Sequence, residues 1–483
     1  MAGQKLVILH IDGLSADTLE DALDRGFMPF TREFLEREGY EVHRYHCGLP
    51  STTPFVQAGI LYGDNQGIPS FRWWDREQRV MVQFGAGSTF KKVADRYFRG
   101  ARPLTEGGAS IAACYPAGAA DDFGIAYQDR TYGQDSKSRS ALRVVVPYVL
   151  NPIHLGEWVW HTGVSVWRTA AEYAEARAEG RRPARAYVLT DALEEIFAHH
   201  LTRFAVEKAM GEGYSPIYAG FYAFDETAHA FGPGDEHARS ILKHVDHTIR
   251  KIAEARKHAY ELVVLSDHGQ IDTIPFSQGD GRHLGELVSS WMPGYRIVEL
   301  KGKTFGPEPE AAAGVVHLAY TGGLGHLYLD GSSRQGYDDV KARFPQLVTG
   351  LVECERIALV MGRAGSEDVV ATARGEFRGP DLEHALADAD DPALVREQLS
   401  RLNSFAESGD LMFFGRFRGK EQINFENQAG GHGAFGGEQA RPFVLGKREW
   451  GLDTSGVRGA HQLHPVLSEL RDRLAGAVST RRA

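Results

Sequence analysis

The sequence predicts an α/β fold: a mostly parallel central sheet with helices on both faces, carrying inserted cap segments. Three observations predict it. Short apolar, β-branched runs such as Lys5–Ile11 (KLVILHI) and Glu261–Ser266 (ELVVLS) read as strands buried on both faces. Stretches with three- and four-residue apolar spacing lie between them. Polar stops, Asp12-Gly13 and Asp267-His268-Gly269, follow the strands directly.

Lys5–Ile11 is the first strand. Asp17–Arg25 then has helical spacing until Met28-Pro29 breaks it, and Thr31–Glu38 is a second helix. Phe55–Leu61 reads as a helix entered through the Pro50–Pro54 turn and left at Gly63. Gly100–Arg185, rich in Gly, Ala and Arg, reads as an insertion. Ile217–Phe224 is a second buried strand. His237–His258 is a long helix with Ile241, Val245, Ile249 and Ile252 on one face, and Glu261–Ser266 is the third strand. Lys303–Gly314 reads as a linker opening a cap-like segment over 303–404, whose acidic part, Glu367–Asp391, is expected to be helical or loop-like. The core then spans 1–302 and 405–483. Asp410–Phe417 is a late strand, Gly430–Gly433 a flexible loop, and Val457–Ala483 ends in a basic helix.

Composition excludes several classes. With 54 Lys+Arg against 64 Asp+Glu, the net charge of −10 argues against a nucleic-acid polymer or anionic membrane as partner. Cys47, Cys114 and Cys354 cannot build a disulfide framework, and a reducing, cytoplasmic setting fits them. The strongest membrane suspect, Ala141–Trp160, contains Arg143, Asn151, His154, Glu157 and two prolines. It is expected to be a buried or cap segment, with peripheral membrane contact the minority reading.

The carboxylates and histidines carry the chemistry. Asp12 follows the first strand, Asp225 the second, with His229 one helical turn on. Asp267 and His268 follow the third, and His432 sits in the glycine-rich loop. Ligands collect beyond the carboxyl ends of parallel strands. Carboxylates gathered there raise one another's pKa unless cations neutralise them. Three aspartates and three histidines divided between two sites meet that need, and mixed N/O donors suit zinc first and manganese second.

Asp225-Glu226-Thr227-Ala228-His229, Ser266-Asp267-His268-Gly269 and Gly430-Gly431-His432-Gly433 together resemble the alkaline phosphatase superfamily, nearest its type I phosphodiesterase/nucleotide pyrophosphatase branch. The resemblance is carried by Leu6–Asp75, Ile217–Gln270 and Phe413–Leu445. It implies a metal-dependent hydrolase of phosphodiester, pyrophosphate or phosphomonoester bonds in small molecules, working through a phospho-threonine. It also implies that Asp225, His229 and His432 hold one divalent cation, and that Asp12, Asp267, His268 and the nucleophile oxygen hold the other. Two such cations about 3.5–4 Å apart can clamp a phosphoryl group.

For the nucleophile, Leu49–Gly63 offers Ser51, Thr52 and Thr53. The family frame, a proline three before and a glycine ten after, selects Thr53 through Pro50 and Gly63. Thr53 is also expected to cap the Phe55 helix with Pro54 at its first position, where a phosphate meets free N–H groups. Pro54 stands one residue after Thr53 rather than two, which leaves Thr52 as the alternative. The family's His and phosphate-contacting Asn are replaced by Gln66 and Phe71. Arg72 or Asn65 is therefore the expected phosphate donor, and Trp73 and Trp74 the expected lining for a flat or apolar leaving group. A sulfatase is disfavoured because Cys47-Gly48-Leu49-Pro50 lacks the C/S-x-P-x-R frame. A phosphoryl or phosphoethanolamine transferase, and a catalytically silent metal-binding homologue, are the competing readings.

Overall fold

The computed structural model describes residues 3–84, 89–123, 137–178, 191–257, 259–299, 303–329 and 331–476. At its centre Lys5–Ile11 pairs in parallel with Tyr260–Leu265 on one side and Ile217–Phe221 on the other. Its apolar run is buried almost throughout, as a strand covered on both faces requires. Ala109–Ile111 adds a fourth parallel strand. The other edge departs from the parallel pattern: Phe443–Lys447 and Tyr40–Arg44 run antiparallel, so the six-stranded sheet is mixed.

Helices cover the sheet where the apolar spacing places them. Ala16–Asp24 is capped by Ser15, whose hydroxyl accepts from the Thr18 N–H. Glu236–Ala255 is capped by Asp235 and buries Ile241, Val245, Ile249 and Ile252. The second strand is shorter than expected. It stops at Phe221, and Ala223–Phe231 is already helical, so Asp225 stands in a first helical turn.

A second, eight-stranded sheet draws its strands from residues 296–415, taking them from both flanks of the 303–404 segment. Leu411–Gly415 pairs there with Leu324–Leu329 and Ile357–Ala364. The acidic stretch 367–391 ends in helix and turn as expected, but it opens with two strands, Glu367–Thr372 and Gly375–Arg378. Val369, Val370 and Ala371 are buried, and that apolar centre outweighs the charged flanks.

Ala141–Trp160 corrects another expectation. It lies across two helices, Lys137–Leu150 and Pro152–Ala178, and many of its apolar side chains face outward rather than inward. Among the described residues no helix is long and apolar enough to cross a membrane. The rest of the 100–185 insertion lies partly outside the described residues, as does the end of the C-terminal segment, whose helix is Leu463–Leu474.

Candidate active site

The carboxyl ends of two central strands and the first turns of two helices meet the His432 loop beyond one end of the central sheet. Asp12 ends the first strand and Asp267-His268 follows Tyr260–Leu265. Asp225 and His229 lie four apart on Ala223–Phe231, hence on one face, with His229 Nε2 3.2 Å from Asp225 Oδ2. His432 reaches in from its loop, its Nε2 3.2 Å from His229 Nε2 and 3.7 Å from Asp225 Oδ1. His268 Nε2 lies 3.4 Å from Asp12 Oδ1 and 3.4 Å from Asp267 Oδ2. The His268 and His432 rings stack at 3.9 Å, so the two groups abut.

Thr53 faces the second group. Its Oγ1 is 3.4 and 3.5 Å from the Asp12 oxygens and 3.2 Å from His268 Nε2. It is the first residue of the helix Thr53–Tyr62, and Thr52 takes the capping position expected for Thr53, though not through a side-chain hydrogen bond. The cis Leu49–Pro50 bond precedes this turn. The Thr52 hydroxyl is buried without a hydrogen-bond partner.

The donor set fits cations on grounds of tautomer. His229 Nδ1 lies 3.1 Å from the Gly430 carbonyl, His268 Nδ1 3.0 Å from that of Gly269, and His432 Nδ1 2.7 Å from that of Ser51. A carbonyl only accepts, so each Nδ1 carries a proton and each Nε2 faces inward, able to hold a cation once it carries no proton itself. That is the tethering expected of metal-ligating imidazoles. Asp267 Oδ2 is buried with no hydrogen-bond donor. The donor atoms of Asp225, His268 and His432 lie within 4.8 Å of one another, as do those of His10, Asp12 and Asp267.

The crowded carboxylates call for positive charge among them. Burial, then the charges of Asp267 and Asp225, push the Asp12 carboxyl well above its usual range. Burial opposes charge on Asp225 too, but His229, His432 and His268 hold it below the ordinary carboxylate range. His268 and His10 do the same for Asp267 against its burial. His229 is burdened by burial, yet Asp225 lifts it to about 10. Burial and His268 pull His432 down to about 3.

Not every expected residue comes to this cluster. Asn65 is fully buried: Nδ2 donates to the Phe55 carbonyl and Oδ1 accepts from Arg401. These contacts fasten the exit of the Thr53 helix. Arg72 is paired with Glu426 at 3.0 Å, and Trp74 stacks on His317 at 3.7 Å. Trp73 is buried in the core beside Phe84.

Conversely, His10 was not apparent within its apolar strand. Its Nε2 lies 3.0 Å from Asp267 Oδ1 and its Nδ1 3.1 Å from Gln57. The signal available was a polar residue inside an otherwise apolar run, two before the aspartate. Gln270 donates to the Asp225 carbonyl and carboxylate, a contact no local motif encodes.

The chain is similar to known proteins in sequence and in fold. A family model described as type I phosphodiesterase/nucleotide pyrophosphatase matches residues 6–303. No curated protein matches by sequence. Among solved structures, phosphonoacetate hydrolase from Sinorhizobium meliloti 1021, crystallised with phosphonoacetate, aligns at a TM-score of 0.52 and 15% identity. That alignment covers 97% of this chain and 96% of that one. Human ectonucleotide pyrophosphatase/phosphodiesterase 5 aligns at 0.51 and 10% identity, covering 97% and 95%. At such identities these two likenesses speak for the fold. The family match spans well over half the sequence and includes five of the six expected ligands along with Thr53: this chain belongs to the type I phosphodiesterase/nucleotide pyrophosphatase family of phosphoric ester hydrolases.

Proposed function

We propose that the protein hydrolyses phosphoester bonds of small molecules at a pair of divalent cations, with Thr53 as nucleophile. The observation that carries this is the position of Thr53 Oγ1, within 3.5 Å of both Asp12 and His268 and beside a second group of Asp225, His229 and His432. In this reading Asp225, His229 and His432 hold one cation, and Asp12, Asp267 and His268 the other, zinc in preference to manganese. The cations supply charge neutralisation at the phosphoryl oxygens and acidify bound hydroxyls.

The chain's own groups do the rest. Asp12 accepts from the Thr53 hydroxyl and orients its oxygen towards phosphorus. The helix Thr53–Tyr62 offers its unpaired first-turn N–H groups and positive end to the phosphoryl oxygens. Thr53 oxygen bonds to phosphorus as the bond to the leaving oxygen breaks, and the hydroxyl proton ends on the departing alcohol. Water then cleaves the phospho-threonine, which restores the hydroxyl. The orphaned, capping Thr52 has no contact that would activate it, which supports Thr53 over Thr52.

Hydrolysis of bis-p-nitrophenyl phosphate and p-nitrophenyl phosphate tests the reading. Thr53→Ala is expected to lower kcat/KM by at least about 10³-fold, while Thr52→Ala keeps activity within about tenfold. Wild-type activity in Thr53→Ala, or no hydrolysis by the wild type after zinc or manganese addition, overturns it.

A further inference from the structure

Among the described residues, the helix Pro152–Ala178 presents a seam that no other element covers. Ile153, Gly156, Trp160, Gly163, Trp167, Ala170 and Ala174 follow one another at steps of three and four, and all seven are exposed. This is the a/d spacing of a coiled coil, held for three heptads. The opposite face, Thr162, Ser165 and Thr169, is buried against the rest of the molecule. Trp160 and Trp167 are 70% and 72% exposed. Among the described residues, Gly156 and Gly163 have no neighbouring atom within 4 Å of where a Cβ would stand.

The order of large and small residues names the occupant. Laid antiparallel on itself about a twofold between His161 and Thr162, the seam matches Trp160 with Gly163 of the second copy, Trp167 with Gly156, and Ile153 with Ala170. Every knob meets a small residue, as close approach of two helices requires. A parallel pairing would instead set Trp160 on Trp160. Beside the seam, Val159 would flank Val166 and Glu157 would flank Val164, so one flank is apolar on both copies and no like charges meet.

The area is sufficient. Among the described residues, eight of the nine exposed large apolar side chains fall on this helix and the one before it: Leu142, Val146, Val149, Leu150, Ile153, Val159, Trp160 and Trp167. Together they present roughly 900 Å² on the reference areas of such side chains. That total is of the order of the about 800 Å² each partner gives a stable interface. A lipid surface is the poorer fit, because it gains nothing from glycine at alternate positions and an anionic bilayer repels a chain of net charge −10.

We infer that the protein forms a twofold dimer in which the Pro152–Ala178 helices pack antiparallel, Trp160 of each copy seated over Gly163 of the other. Sedimentation of the full chain is expected to show a dimer. Gly163→Leu fills the hole without disturbing the monomer, and is expected to weaken dimerisation at least about tenfold. Lipid binding, which scales with apolar area, would instead strengthen in that variant. Val159→Cys and Val166→Cys proteins are expected to cross-link on oxidation when mixed and not separately, which separates the antiparallel from the parallel arrangement. Hydrolysis of p-nitrophenyl phosphate at the wild-type rate by Gly163→Leu shows that the monomer is intact. A monomeric wild type, a dimer indifferent to Gly163→Leu, cross-linking of either cysteine variant with itself alone, or tighter binding of Gly163→Leu to phosphatidylcholine vesicles overturns the proposal.

Discussion

Gly13 occupies the one space the metal-ligand reading of Asp225 leaves it. Its φ is +71°, and a Cβ there would stand 2.4 Å from Asp225 Oδ1 and 2.9 Å from Asp225 Cβ. Asp225 has no room to withdraw, since Gln270 holds its carboxylate and His229 and His432 lie on its other side. Gly13→Ala is therefore expected to cost about 1–2 kcal/mol in stability for its left-handed backbone and crowding. It should lower kcat/KM at least about 10²-fold by displacing a ligand. Thermal melts alongside kinetics check both, and wild-type kinetics would show that the position of Asp225 is not critical. At this scale the sequence was most informative where a polar residue stood directly after an apolar strand, as Asp12 and Asp267 do. It was silent where a polar residue stood inside the strand, as His10 does, because an interior position looks like packing until the partner is known. It did not disclose that the Asn65 amide serves the Phe55 carbonyl and Arg401, because a donor's type does not reveal which acceptor lies nearest.

Three helices meet through imidazoles: His161 on Pro152–Ala178, His199 and His200 on Asp191–Glu212, and His244 and His247 on Glu236–Ala255. His161 Nδ1 lies 2.8 Å from His200 Nε2, and the His244 and His247 rings stand 5.0 and 5.6 Å from that of His161. Burial, with Arg203, Arg168 and the neighbouring imidazoles, holds them neutral: His199 and His244 fall to about 3, His200 to about 2, His247 to about 4. Glu157 opposes this on His161 and His247 without reversing it. Their folded values lie below the ordinary 6.5. Above about pH 6.5 both states are neutral and nothing is lost. As pH falls below about 6.5 the unfolded chain takes up protons first, so stability declines until the folded cluster protonates between about pH 4 and 2. The urea midpoint is expected to drop between about pH 6.5 and 4, with hydrogen exchange rising first in these three helices. His200→Gln with His244→Gln should flatten the slope, and an unchanged slope would locate acid sensitivity elsewhere. Apolar spacing gave the Glu236–Ala255 helix to within a few residues, because its buried face is continuous. It could not place His244 and His247 against His161, since that contact depends on how an insertion folds back. The two strands in 367–378 were hidden for a related reason: their charged ends dominate the composition while three buried apolar residues set the structure.

At the scale of the whole molecule the second sheet is a shared wall. Leu359, Met361, Met412 and Phe414 point into the core built on the central sheet. Their alternates Val360, Leu411 and Phe413 point into a second cluster with Leu287, Leu347 and Leu351. Period-two alternation produces both faces, but Leu324–Leu329 finds Leu411–Gly415 more than eighty residues away, a pairing no local pattern encodes. This wall also reaches the site. The turn joining Val315–Thr321 to Leu324–Leu329 lies against the His432 loop so closely that a Cβ on Gly322 would stand 1.8 Å from the His432 carbonyl. Gly433, facing it, would meet the Thr321 carbonyl at 2.6 Å. Glu426 locks the turn, accepting from the Gly322 N–H while paired with Arg72. Gly322, at φ +54°, thus sets how far His432 enters. Gly322→Ala is expected to destabilise the fold by about 1–3 kcal/mol and to push His432 outward. In the two-cation reading that lowers affinity for one of two zinc ions about 10–100-fold, as loss of a ligand's support does, and leaves the other intact. Zinc titration by calorimetry should resolve one weakened and one unchanged site. Equal weakening of both would mean that the turn supports the whole cluster rather than His432 alone.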